Sequence, residues 1–318
     1  MDQNKPIPKE EIIVNGYAYP SISPEVLYGW MRDLTFITAF SYGFTQKGEL
    51  IQLDDSEIIR VARENGVEPL MALTPFDKEG AFSSKLVNQL LENPDMQKKL
   101  IDNLLINLKS KNLFGVDFDF VYIDPEYKER YTNFITEATI RLNDEGFLAM
   151  VAITPNQSSE VSAANFVLLA TFEWWHGCGP PMAVSPINEI RKVLDSAALI
   201  ISPDKILLGI PNYGYDWTLP HTPGMRAQKV FNVEAMEIAK RTRAKIFFDE
   251  VAQAPYFYYT GENGAEHVVW FEDARSIRAK LALISEYGLA GASYWNVMEL
   301  FPIGSEVLHS MFTVKKIT

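Results

Sequence analysis

Gly115-Val116-Asp117-Phe118-Asp119-Phe120-Val121-Tyr122 reads as a β-strand with two unlike faces. Alternation sends Val116, Phe118 and Phe120 to one side and Asp117, Asp119 and Val121 to the other. The apolar side would meet covering helices, which leaves two carboxylates turned toward an interior. There an unpaired charge is costly and a partnered one usually has a purpose. The plainer reading, two solvated aspartates on an edge strand, fits poorly because the flanking apolar run is too continuous for an edge.

Outward from this strand, seven more β-rich apolar runs recur, at residues 12–19, 34–42, 67–73, 147–153, 166–172, 205–210 and 290–295. Most are separated by segments of helical periodicity. Ser23-Pro24 opens one helix, Asp55 precedes another that Gly66 closes, and Asp273 precedes a third that Gly288 closes. Eight such units fit an α/β fold of the (β/α)8 TIM-barrel type as one domain over residues 1–318. An open doubly wound sheet would show a Gly-rich phosphate turn after the first strand, and Asn15-Gly16-Tyr17 is not one. Residues 156–165 are too few for a full fifth crossover, so that helix is expected to be shortened. Residues 216–272 exceed any loop's need. They are expected to form a small α+β insertion after the seventh strand, with a helix at 233–243 and a strand pair at 256–259 and 267–270.

Composition narrows the partners. Lys and Arg total 29 against 41 Asp and Glu, a formal charge of −12, the wrong sign for gripping nucleic acid over a broad surface. No apolar run reaches the roughly 18–20 residues of a membrane span, and the first residues are too polar for a signal peptide. One cysteine, Cys178, excludes an internal disulfide, and the spacing of the four histidines is not that of a metal site, so neither metal nor cofactor is expected.

With these residues in view, the chain resembles glycoside hydrolase family 18, the chitinase-like barrels, especially the spore-germination and peptidoglycan-directed branch. The family's fourth strand reads D-G-x-D-x-D-x-E, and its register falls here on Phe114, Gly115, Asp117, Asp119 and Val121. Further matches are Phe172-Glu173 and Gly179-Pro180-Pro181-Met182-Ala183-Val184-Ser185-Pro186-Ile187 after the sixth strand. At the seventh comes Gly209-Ile210-Pro211-Asn212-Tyr213-Gly214-Tyr215-Asp216-Trp217, then His267-Val268-Val269-Trp270 in the insertion and Gly291-Ala292-Ser293-Tyr294-Trp295-Asn296 at the eighth. Each alone is weak; their order over nearly the whole chain is specific.

The resemblance implies a substrate-assisted retaining mechanism, in which the sugar's acetamido oxygen attacks, the motif glutamate protonates the leaving oxygen and the neighbouring aspartate orients the acetamido group. Here Val121 holds the glutamate's position, and an isopropyl group has no proton to give. Phe172 replaces the tyrosine that bonds the acetamido carbonyl, and Phe114 replaces the motif's first aspartate. What the resemblance leaves is a binding surface: Asp119 and Asp117 as the remnant motif, Trp295 as the floor of the central sugar subsite, Glu173 on a hydroxyl or amide, and Phe172, Tyr213, Trp217 and Trp174 around them. The plainer alternative for the strand-end tryptophans is that they are barrel-top core residues, and it fits Trp295 least. The expected partner is an N-acetylglucosamine-containing oligosaccharide or polysaccharide, chitin or peptidoglycan, in the cell envelope, spore or secreted space of the family. Three readings stay open: a silent glycan binder, an active glycosidase with a displaced acid, and a structural spore or envelope protein with a vestigial pocket.

Overall fold

In the computed structural model, which describes residues 9–76, 80–120, 123–154, 161, 163–172 and 179–317, eight parallel strands close on one another. They are β1 (Glu10–Ala18), β2 (Phe36–Phe44), β3 (Glu68–Leu73), β4 (Gly115–Asp119), β5 (Leu148–Ile153), β6 (Phe166–Leu169), β7 (Ile206–Pro211) and β8 (Gly291–Trp295). Each pairs with the next, and β8 returns to β1 with Gly291 opposite Ile13, so the eight form a closed barrel without an edge. The (β/α)8 fold expected from the apolar runs is the fold observed. Val116, Phe118 and Phe120 face outward onto the helix Lys128–Asp144, where Phe118 lies 6.0 Å from Phe134 and Phe120 5.9 Å from Tyr131, ring to ring.

All three helices begin and end where their signals place them, but only two are capped by a side chain. Ser23 accepts from the Val26 backbone N–H, and Asp273 forms a reciprocal capping box with Ser276 while Gly288 ends the same helix at φ 68°. Asp55 behaves differently: its carboxylate makes no cap. Instead it accepts from the Tyr42 hydroxyl and from Lys111 Nζ at 2.8 Å, because a buried carboxylate finds a stronger partner in an ammonium than in a backbone amide. The sixth strand stops at Leu169, short of the expected Phe172. There the Thr171 N–H turns back onto Leu169 O, and the Thr171 hydroxyl donates to Gly209 O at 3.0 Å. Among the described residues of 154–165, between β5 and β6, none is helical.

After β7 the chain builds a second, antiparallel sheet in the order Gln228–Phe231, Tyr213–Leu219, Glu266–Trp270, Ala254–Thr260, Ile246–Asp249, covered on one face by the helix Asn232–Thr242. The helix and the expected strand pair are there, and three further strands join them. Its other face carries Tyr213, Tyr215, Trp217 and Val268 and meets Val184, with Phe172 and Trp295 packed at the margin.

Inside the barrel the side chains form layers. Ile13, Phe36, Leu70, Met150 and Leu207 fill the end where the strands begin, and Phe114 packs there, 5.7 Å from Phe36. Above them is a polar layer in which Thr38 donates to Asn15 and Asn15 to Ser293. Tyr17, Phe40, Ala72, Ala152 and Leu168 form the layer at the strands' C-terminal ends, the end where sites of this fold are built.

Candidate functional site

β4 aims its two carboxylates into the barrel because Gly115, Asp117 and Asp119 share one parity of the strand. Asp117 is fully buried and accepts a hydrogen bond from the Tyr17 hydroxyl on β1; its other oxygen, Oδ1, is buried with no partner. Asp119 is nearer the mouth, 9% exposed, and its carboxyl has no hydrogen-bond partner among the described residues. Burial pushes Asp117 up to about 7, against the opposing effect of the Tyr17 hydrogen bond. Burial and then the Asp117 charge push Asp119 up to about 8. Burial, followed by the two carboxylates, raises the Tyr17 phenol well above its ordinary value. The pair therefore retains protons near neutrality, as two like charges in a low dielectric must.

This has a measurable consequence for the fold. An unfolded aspartate titrates near ~3.9, so between about pH 4 and about pH 7–8 the native state holds protons that the unfolded chain has released. The stability this contributes is complete below about pH 4 and falls as pH rises through that window, by at most about 1.4 kcal/mol per pH unit for each group. Asp119→Asn, neutral throughout, is expected to flatten the fall. Urea midpoints of both proteins from about pH 5 to about pH 8 test this, and equal slopes would mean that native Asp119 is ionised.

Above the carboxylates stands Trp295, half-buried at the end of β8. Its ring is met edge-on by Phe40 at 4.9 Å, Tyr17 at 5.1 Å and Tyr19 at 6.2 Å, and Phe76 lies 6.2 Å beyond Phe40. Three edge-to-face neighbours fix the indole's orientation. Phe172 rests on Gly209: a Cβ there would come within 2.8 Å of the Phe172 ring, so the glycine makes the close approach. Asp117, Asp119, Phe172 and Trp295 are thus gathered at one end of the barrel.

Tyr213 and Trp217 reach the same region but are 1% and 4% exposed. Trp217 donates its indole N–H to Gly179 O at 3.1 Å, and Lys229 Nζ sits 3.8 Å from the Tyr213 ring centre. Their rings pack in the wall between sheet and barrel rather than lying open at the mouth. Val121, Glu173 and Trp174, together with Trp175 and Cys178, fall outside the described residues. Asp124 accepts from Asn88 Nδ2 at 3.0 Å and Glu126 is exposed in the short turn of helix Pro125–Tyr127, so neither carboxylate points into the barrel.

Sequence reasoning missed Tyr17 and the rings of Tyr19, Phe40 and Phe76. Strand parity held the signal for two of them: Ile13, Asn15 and Tyr17 share the inward side of β1, as Phe36, Thr38 and Phe40 share that of β2.

Comparison with known proteins agrees with the fold. The family model described as Glycosyl hydrolases family 18 matches residues 33–299. The "Cortical fragment-lytic enzyme" of Bacillus subtilis (strain 168) is 34% identical over 334 residues, covering 98% of this chain and 77% of that protein. Among solved structures, the Bacillus megaterium QM B1551 spore cortex-lytic enzyme SleL superposes with a TM-score of 0.91 at 36% identity, over 98% of this chain and 76% of that one. The Bacillus cereus spore cortex-lytic enzyme SleL gives 0.91 at 33% identity, over 97% and 76%.

Proposed function

The chain belongs to glycosyl hydrolases family 18, and from that premise we propose that it binds N-acetylglucosamine-containing glycan at the barrel mouth without hydrolysing it. The observation that carries this is a contrast. Asp119 is kept at the C-terminal end of β4 and Trp295 at that of β8, whereas the family's proton donor is replaced by Val121 and its acetamido-binding tyrosine by Phe172. General acid catalysis contributes about 10²–10⁴ in rate, so its loss cuts turnover by that factor while leaving the groups that hold a sugar. The flat face of Trp295 suits the C–H face of a pyranose ring, and Asp119 can accept from the acetamido N–H. That two similar solved structures are named spore cortex-lytic enzymes favours a peptidoglycan-type strand over chitin.

Calorimetry with chitotetraose and with muropeptides tests this. Binding in the micromolar to millimolar range is expected, with Trp295→Ala weakening it about tenfold or more. No heat at about 1 mM ligand would refute the reading.

One observation favours the runner-up, an active enzyme with a displaced acid: Asp119 is a buried carboxyl pushed up to about 8 and so carries a proton at neutral pH. Release of a fluorogenic leaving group from an N-acetylglucosaminide above the buffer rate, abolished by Asp119→Asn, would establish that reading in place of the first.

A further inference from the structure

The aromatic face of the second sheet continues past the barrel mouth. Cross-strand register sets Phe247 opposite Tyr256, Tyr256 opposite Trp270 and Trp270 opposite Tyr215. The rings follow, with Phe247 stacked on Tyr256 at 5.5 Å and Tyr256 on Trp270 at 4.5 Å. Beside Trp270 a cavity of about 500 Å³ opens between the segment 182–189 and the turn 249–252.

Its polar lining consists of Asn188, Glu189 and Asp249, with no cationic side chain among its lining residues. Asp249 Oδ1 accepts from Val251 N at 2.9 Å and Ala252 N at 2.7 Å, and Ile187 N donates to Ala252 O at 3.0 Å, which ties this turn to the neighbouring helix. Glu189 Oε1 accepts from Asn188 Nδ2 at 2.9 Å and Lys192 Nζ at 2.8 Å. The second oxygen of each carboxylate has no partner among the described residues, and Asn188 Oδ1 is buried without one. One buried acceptor, Asn188 Oδ1, thus lacks a donor beside an indole and two half-buried carboxylates, in a chain of formal charge −12.

We propose that this cavity binds a primary ammonium group on a flexible stem, of the kind carried by the diamino acid of a peptidoglycan peptide. An ammonium supplies three donors and no acceptor, matching the lining, and its charge is attracted both by the carboxylates and by the face of Trp270. An anion would be repelled, and a neutral hydroxyl would gain nothing from the charge of Asp249, which is paired with backbone N–H groups rather than with a cation. Trp270 and Trp295 border the same aromatic cluster, so a glycan on Trp295 and its peptide branch on Trp270 share one wall. The inference rests on the glycan reading above and adds a second element to it, the peptide.

The test compares N-acetylglucosaminyl-N-acetylmuramyl tetrapeptide bearing a free lysine ε-amine with the same compound acetylated on that amine, and uses chitotetraose as the peptide-free reference. The free amine is expected to bind about tenfold more tightly, with the gap shrinking as salt is added. Asp249→Asn combined with Glu189→Gln should abolish the gap and leave chitotetraose affinity unchanged. Equal affinities of the two peptides for the wild type, or a gap that survives in the double variant, overturn the ammonium site while chitotetraose binding keeps the glycan reading. Failure of all three ligands to bind overturns both.

Discussion

Val121→Glu combined with Phe172→Tyr is expected to raise hydrolysis of a fluorogenic N-acetylglucosaminide at least about 100-fold over the wild type, the lower end of what a general acid contributes. On the proposed glycan-binding reading, the frame that such an acid needs would already be assembled. Asp119 and Asp117 lie buried on the strand that leads to position 121, and Trp295 is held edge-on by Tyr17, Tyr19 and Phe40. A third carboxyl beside this pair would meet two neighbours that already resist ionisation, which raises its own proton affinity toward the working range of an acid. Phe172→Tyr adds only an oxygen to a ring that Gly209 already accommodates, and supplies the donor that the family uses on the acetamido carbonyl. Val121→Glu alone should recover part of the gain, and adding Asp119→Asn to the double variant should remove it. A wild type as fast as the double variant would place the acid elsewhere. A folded, ligand-binding double variant with no turnover would mean that the loss of Glu and Tyr is not what silences the site.

How far the site was legible depends on the distance along the chain over which its parts are joined. The barrel strands announced themselves because strands buried on both faces read as continuous apolar runs between amphipathic helices, and the shortened fifth crossover was visible as missing length. The carboxylates of β4 were legible because parity is a local property: Asp117 and Asp119 are two residues apart. The contact of Tyr17 with Asp117 joins residues a hundred positions apart across the barrel, and no local pattern encodes it. Nor does a strand-end tryptophan reveal how far it is buried. Trp295 and Trp217 look alike in sequence, yet the first stands half-buried in the mouth and the second is sealed in the wall by Val184 and Val268. The strands Gln228–Phe231 and Ile246–Asp249 escaped notice for another reason. At four residues each, they hold too few alternations to be distinguished from loop, and only pairing with longer neighbours makes them strands.

Lys280→Met is expected to destabilise the fold by about 3–5 kcal/mol, a large share of the roughly 5–15 kcal/mol that holds a protein folded. Lys280 and Glu272 form an ion pair at 2.8 Å with side chains 0% and 1% exposed. Glu272 follows the last strand of the second sheet, and Lys280 lies within the helix Ala274–Tyr287 that covers the barrel. The Glu272 backbone N–H also donates to Asn232 Oδ1 at 2.9 Å, at the start of the second sheet's own helix, so one carboxylate residue joins both halves of the molecule. Removing the ammonium leaves that carboxylate dry and unpaired. Burial already raises the Glu272 carboxyl, with Lys280 opposing, so without Lys280 it should take up a proton. With its native pKa then well above the unfolded value near ~4.3, the variant recovers stability as pH falls and loses it as pH rises. The difference between variant and wild type should accordingly be greatest at about pH 8 and shrink toward about pH 5, a comparison in which the titration of Asp117 and Asp119 cancels. Glu272→Leu with Lys280→Met, which exchanges the pair for apolar volume, should restore most of the loss. Urea unfolding of the three proteins checks it: a single-variant loss below about 1 kcal/mol would mean that water reaches Glu272 and that the clamp between sheet and barrel lies elsewhere.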